Sequence, residues 1–267
     1  ITYSISKRFF LTIDPHSGQD RHMAKTLIFG ATGGIGLAVA ERLTSAGKSI
    51  HLAGRNEAEL SQLASRLSCG ATVCDIHDVD SLAQAVAEAS EDGQLDGLIW
   101  AIGSILLKPM ARLSAADFAD TYYVNVTAAA LAIQAAHPAL KVAKGSIVMF
   151  SSVAASQGFT AHAAIGAAKA GVEGLARSLA AEYAPDVRVN VIAPSLSYSK
   201  MSQPILGNEA MAKGIAQMHP LGRLGVSDDF SALAEVLLDN KLGGWITGSV
   251  LAVDGGRASV QAPQRAR

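Results

Sequence analysis

Seven short apolar runs punctuate the chain, at residues 25–29, 49–53, 72–74, 98–102, 146–150, 188–192 and 249–253. They lack the in–out alternation of a half-exposed sheet, as expected of parallel strands buried on both faces. Between them lie stretches with helical spacing of apolar positions, at 37–47, 57–67, 80–90, 116–137 and 163–183. Gly47 is well placed to stop the first of these. Strand and helix alternating in this order predict right-handed crossovers and an α/β, doubly wound, seven-stranded parallel sheet in one domain. Ligands of such sheets lie beyond the carboxyl ends of the strands, so the loops there are the ones to search for chemistry.

The first of those loops is the richest. Lys25-Thr-Leu-Ile-Phe runs directly into Gly30-Ala31-Thr32-Gly33-Gly34-Ile35-Gly36, and a helical stretch follows at once. Strand, glycine turn and helix start together present unpaired backbone N–H groups and a positive dipole end to an anion. The glycines let a pyrophosphate approach the backbone closely. With Gly33 beside the Gly30, Gly34, Gly36 spacing, this segment is predicted to bind a nucleotide.

After the second run comes Ala53-Gly54-Arg55-Asn56, where a dinucleotide fold meets the adenosine ribose. An acid there accepts from a free 2′-hydroxyl, whereas an arginine pairs with a 2′-phosphate. Gly54 and Arg55 with no carboxylate before Glu57 predict NADP(H), with Thr32 supplying a nearby hydroxyl.

Composition narrows the partners. The 267 residues are 49% hydrophobic and 17% charged, enough for one sizeable core, and the net charge of −1 favours neither nucleic acid nor an anionic membrane. No apolar run approaches the ~20 residues of a membrane span, and a cytoplasmic protein is expected. Cys69 and Cys74 are too few for a disulfide framework and read as reduced packing residues. His51 reads as a packed strand histidine. His77 and His137 lack partners at metal spacing, so no metal is expected. Residues 1–22 stand apart as a vector-derived leader or an N-terminal extension, leaving 23–257 as the domain and 258–267 as a tail.

The collinear landmarks from Met23 to Arg257 resemble the short-chain dehydrogenase/reductase family, whose members are Rossmann-fold oxidoreductases. Gly30-x-x-x-Gly34-x-Gly36 matches its first turn, and Asp75-Ile76 its pair at the adenine. Asn125 in Tyr-Tyr-Val-Asn-Val, Ser152 in the serine loop and Lys169 match its catalytic asparagine, serine and lysine. Gly222-Arg-Leu-Gly225, Trp245-Ile-Thr-Gly248 and Asp254-Gly-Gly256 match later landmarks. The resemblance implies a nicotinamide cofactor also touched by Ile35, Ala101, Gly103, Pro194 and Ser199, a small-molecule substrate, and a homotetramer or homodimer. The Ala- and Gly-rich stretches 127–136 and 166–181 suit close approach across a symmetry axis, and Tyr122 or Tyr123 is expected to pack.

The departures matter as much. Trp100-Ala101-Ile102-Gly103 replaces the family's Asn-Asn-Ala-Gly, and Pro194-Ser195 its Pro-Gly. Four residues before Lys169, where the family carries its proton-donating tyrosine, stands Ile165. Three readings follow. His162 lies seven residues before Lys169, the tyrosine spacing of the similar enoyl-acyl-carrier-protein reductases, and the lysine region also resembles 2,4-dienoyl-CoA reductases, so an activated C=C bond is one target. Carbonyl reduction with a substitute acid is another, and NADP binding without turnover is the third. Ser152, His162 and Tyr198 are the candidate donors. The loops 104–110 and 195–218, with Met201, Met211 and Met218, are expected to shape the substrate pocket.

Overall fold

A computed structural model describes residues 25–261. The proposed leader at 1–22 and the end of the tail lie outside them. Seven strands form the sheet: β1 (Lys25–Phe29), β2 (Ile50–Gly54), β3 (Gly70–Val73), β4 (Leu95–Trp100), β5 (Ser146–Phe150), β6 (Arg188–Pro194) and β7 (Val250–Val253). All pairings are parallel, in the order β3-β2-β1-β4-β5-β6-β7. The order reverses at β1 and β4, which opens a crevice beyond their carboxyl ends.

Successive strand residues serve opposite faces. Leu27 and Phe29 of β1 join one apolar core with Trp100, Ile133 and Val172, whereas Ile28 joins another with Val39, Leu52, Ile99 and Phe230. The first core lies under α3 (Val79–Ala89), α5 (Ala128–Ala143) and α6 (Ala163–Tyr183), and the second under α1 (Gly34–Ser45), α2 (Glu57–Leu67) and α9 (Ser227–Leu238). Both faces are covered, which is why the strands read as continuous apolar runs.

Two expectations need correction. The fourth helical stretch does not end at His137: α4 (Ala115–Tyr122), a π-turn (Tyr123–Thr127) and α5 continue one another to Ala143, through Pro138. Proline usually ends a helix, but Pro138 is exposed on the outer side while Ala139 and Leu140 are buried, so core packing carries the helix past it. The rod Ala115–Ala143 is also long and apolar enough to cross a membrane, which no single apolar run suggested; its buried side packs on β4 and α3. The interval between β6 and β7, left unassigned above, holds α7 (Gln203–Leu206), α8 (Glu209–Gln217) and α9. Phe230, Ala234 and Leu237 recur at helical spacing in α9 and bury it against α1 and the sheet.

His51 is buried in β2 and bonds Thr72 of β3 at 2.8 Å, and Thr72 in turn bonds Glu88. His137 stacks on Tyr183 at 3.8 Å. Cys69 and Cys74 are free thiols whose pKa values burial pushes up.

Candidate active site

The glycine turn has the shape its sequence requires. Gly30 has φ +78° and its carbonyl accepts the Gly33 N–H at 3.0 Å. A side chain at Gly36 would run into the Gly30 carbonyl, and one at Gly30 would lie 2.9 Å from Ile102. Gly33 stands at the N-cap of α1 with no side chain to satisfy the first-turn N–H groups, and Gly33 and Gly34 are exposed. Backbone donors are thus left facing the crevice, a fitting cradle for a diphosphate.

The adenosine end is built from the next two strands. Thr32 lies beside Gly54 at the end of β2, and Arg55 follows it, exposed and outside every ion pair among the described residues. The loop after β3 is held by Asp75, whose carboxylate accepts the His77 N–H at 3.0 Å. Tyr123 pins this loop to the π-turn: its hydroxyl donates to the Ile76 carbonyl at 3.0 Å and its ring stacks on His77 at 4.9 Å. Tyr123 therefore packs inward, whereas Tyr122 is 47% exposed.

The π-turn exists because of Asn125. Its side-chain Nδ2 donates to the Thr121 carbonyl at 2.9 Å, in place of the backbone N–H that an α-helix would supply, and also to Ser104 at 3.1 Å. Asn125 Oδ1 is buried without a partner. Lys169 projects from α6 toward the same place, its Nζ donating to the Phe150 carbonyl at 3.0 Å. A Cβ at Gly103 would lie 3.0 Å from Asn125 Oδ1 and 3.1 Å from Lys169 Nζ. Glycine at 103 is what lets the amide and the ammonium converge. Burial pulls the Lys169 pKa down to about 8. An orphaned amide oxygen and an under-solvated ammonium are groups that ribose hydroxyls can satisfy.

Beyond this point lies a cavity of about 390 Å³ with mainly apolar walls. Ile35, Ala101, Gly103, Lys169, Pro194 and Ser199 from the cofactor set border it. Ser199 belongs to a serine turn, exchanging hydrogen bonds with Ser202, and its Cβ stands near Gly34 at the start of α1. The sequence candidates divide here. Ser152 borders the cavity and its Oγ accepts the Ala154 N–H at 3.1 Å, while the neighbouring Ser151 is turned away onto Glu173 and the Lys169 carbonyl. His162 borders it too, at the N-cap of α6, with Nδ1 2.8 Å from the Thr160 carbonyl. Ile165 is buried and forms part of the wall. Tyr198 is 56% exposed and lies outside the cavity, which removes it as a donor. Met201 and Met218 line the cavity and Met211 does not.

Two features escaped the sequence reading. Ser195 and His219, both on the wall, stand 2.8 Å apart. Arg257 stacks 5.7 Å from the Phe159 ring at the rim. The carboxylates Asp117 and Asp229 lie elsewhere: Asp117 caps α4 and pairs with Lys108, which with the Ser114 N–H holds its pKa near 2, and Asp229 pairs with Arg223. Among the described residues no His, Cys, Asp and Glu cluster is suited to a metal.

Comparison with known proteins agrees with this geometry. A family model described as enoyl-(acyl carrier protein) reductase matches residues 30–258. A tropinone reductase homolog of Arabidopsis thaliana is 34% identical over 239 residues, covering 86% of this chain and 90% of that protein. A short-chain dehydrogenase/reductase from Mycobacterium ulcerans superposes with a TM-score of 0.83 at 29% identity, over 90% of each chain. The RhlG/NADP active-site complex of Pseudomonas aeruginosa gives 0.81 at 27% identity, over 88% of this chain and 96% of that one. The fold and site define a dinucleotide-binding oxidoreductase of the doubly wound class. The chain belongs to the short-chain dehydrogenase/reductase family.

Proposed function

We propose that the protein is an NADP(H)-dependent reductase that acts on the carbonyl group of a small, largely apolar molecule. The observation that carries this reading is the apolar cavity that Ile35 of the glycine turn borders together with Gly103 and Lys169, beside which Asn125 also lies. The tropinone reductase homologs among the relatives support a carbonyl target. Arg55 directly after Gly54, which lies beside Thr32 and carries no carboxylate, supports NADP(H) over NAD(H), and the NADP complex of a structural relative agrees.

Gly33, Gly34 and Ile35 would hold the diphosphate on the α1 N-terminus, Asp75 and Ile76 the adenine, Arg55 the 2′-phosphate, and Lys169 the nicotinamide ribose. Ala101, Pro194 and Ser199 would flank the nicotinamide. The reduced nicotinamide supplies a hydride when bound. This chain's own side chains do the rest: apolar walls at Ile102, Ile105 and Ile205 exclude water, and Ser152 offers a hydroxyl to orient the substrate oxygen. Ile165 has no proton to give, so the donor must stand elsewhere on the wall.

A second reading is reduction of an activated C=C bond. His162 on the cavity wall two turns before Lys169 favours it, with His162 and Ser152 stabilising the enolate oxygen. A homotetramer or homodimer is proposed alongside, since Trp245 is fully exposed and Leu242, three residues before it, is 69% exposed.

The test is NADPH oxidation by the wild type against a panel of cyclic ketones and enoyl thioesters. Ketone turnover with NADPH preferred to NADH supports the main reading. Turnover of enoyl thioesters alone, lost in His162→Ala, moves the assignment to the second. Tight NADPH binding with no turnover, and ketone reduction appearing only in Ile165→Tyr, would show a nucleotide-binding relic of an enzyme.

A further inference from the structure

His219 follows α8 and is 3% exposed. Its Nδ1 lies 2.9 Å from the Ile215 carbonyl, and its Nε2 lies 2.8 Å from Ser195 Oγ. A carbonyl oxygen only accepts, so the neutral imidazole carries its proton on Nδ1 and the Ser195 hydroxyl donates to Nε2. A hydroxyl, a histidine in the correct tautomer and a third group that fixes the ring form the usual arrangement for moving a proton. The pair is not sealed in the core. Ser195 is half-buried, follows Pro194 directly, and borders the cavity together with Lys169, Ser152 and Ile165.

We propose that Ser195 is the proton donor to the substrate oxygen, with His219 positioned behind it to replace the proton. This rests on the carbonyl-reduction reading above. With His219 as imidazolium, Nε2–H donates to Ser195 Oγ and frees the serine O–H to point into the cavity. When bound, the reduced nicotinamide would supply the hydride and its electron pair to the substrate carbon as the C=O π bond breaks, and the oxygen would take the Ser195 proton. Ser195 Oγ takes the Nε2 proton in the same movement. The products are the alcohol, oxidised nicotinamide and neutral His219, which regains one proton from solvent. Ser195 thus supplies what Ile165 lacks, from the wall of the same cavity.

The charged groups on the cavity walls that hold the pair are Asp254 and Arg257 after β7, the Arg223–Asp229 ion pair, and Lys169, and α8 itself carries Glu209 and Lys213. None of these carboxylates bonds either imidazole nitrogen among the described residues.

Several measurements test the pair, the first of them without turnover. Nitrogen-resolved histidine NMR on the protein free of ligand should show His219 with its neutral proton on Nδ1; a neutral Nε2–H form overturns the proposal. In ketone reduction, Ser195→Ala should lower kcat by ~10²-fold or more, the usual contribution of a positioned acid. NADPH affinity by fluorescence should stay within about threefold of wild type, since uniform binding is untouched. Ser195→Thr, which keeps the hydroxyl, should recover most of the rate. His219→Gln should lower kcat by ~10-fold or more while ketone KM and NADPH affinity stay unchanged, a split a packing role does not produce. If the wild type reduces ketones and Ser195→Ala keeps its rate, the pair is structural and the functional reading survives. If the wild type binds NADPH but reduces no ketone, both fail together.

Discussion

Lys169 is held at a cost to stability, and replacing it should expose that cost. Its ammonium is buried in α6 with one hydrogen-bond acceptor among the described residues, the Phe150 carbonyl at 3.0 Å. Burial lowers its pKa from 10.5 to about 8. At about 1.4 kcal/mol per unit, that is a penalty of about 3 kcal/mol for keeping the charged form in the fold. Between pH 8 and 10.5 the unfolded chain binds the proton and the folded one does not, so wild-type stability rises with pH across that window and falls as pH drops through about 8. Lys169→Met keeps the volume and removes the titration. The variant leaves the Phe150 carbonyl unpaired, a loss of about 1 kcal/mol relative to the neutral amine. At neutral pH the methionine variant should therefore be more stable by about 2 kcal/mol, and at pH 10.5 less stable by about 1 kcal/mol. Urea unfolding of both proteins at the two pH values, at one protein concentration and without nucleotide, reads this difference directly. NADPH titration of the same variant should show weakened binding. Equal pH dependence in the two proteins, or a variant less stable by several kcal/mol at neutral pH, would refute the reasoning.

Other outcomes follow from the same geometry. Arg55→Ala should weaken NADPH binding by tenfold or more, since a charge-assisted contact contributes roughly 1.5–3 kcal/mol, and should leave NADH binding unchanged; calorimetric titration of both nucleotides checks it. Gly36→Ala should abolish binding of both nucleotides and lower the unfolding midpoint, because the new methyl meets the Gly30 carbonyl; retained affinity with an unchanged midpoint contradicts the account of the turn. Sedimentation should give an oligomer of the 27.5 kDa chain, and Trp245→Asp should shift it toward smaller species; a stable wild-type monomer rejects the proposed assembly.

The sheet was legible in the sequence because its inner strands β1, β2, β5 and β6 are buried almost throughout and carry few charged residues, whereas the edge strands β3 and β7 are partly exposed. The helices 57–67 and 163–183 were legible to their ends, the first because Asn56 caps it and accepts the Glu59 N–H. Pro138 misled, since local backbone preference stops a helix where burial of Ala139 and Leu140 continues it. The segment after β6 was opaque for a different reason: α7 has four residues and α8 nine, runs too short for apolar spacing to declare a helix. The glycine turn, Asn125 and Lys169 were legible as separate motifs, yet only the fold reveals that they meet at Gly103. The Ser195–His219 pair was hidden by its 24-residue separation across the segment that holds α7 and α8. The one sequence signal was serine where glycine is usual after Pro194, and the partner it selects depends on where α8 ends.

The central claim is that this chain moves hydride between a phosphorylated nicotinamide nucleotide and a carbonyl carbon seated in the cavity beside Lys169. NADPH deuterated at its transferable position, incubated with the wild-type protein and a panel of cyclic ketones, tests it most directly. Mass spectrometry of the products should place one deuterium on the new carbinol carbon, with far less transfer from equally labelled NADH. Deuterium found only on the β-carbon of enoyl substrates, or in no product despite saturating nucleotide, would contradict it.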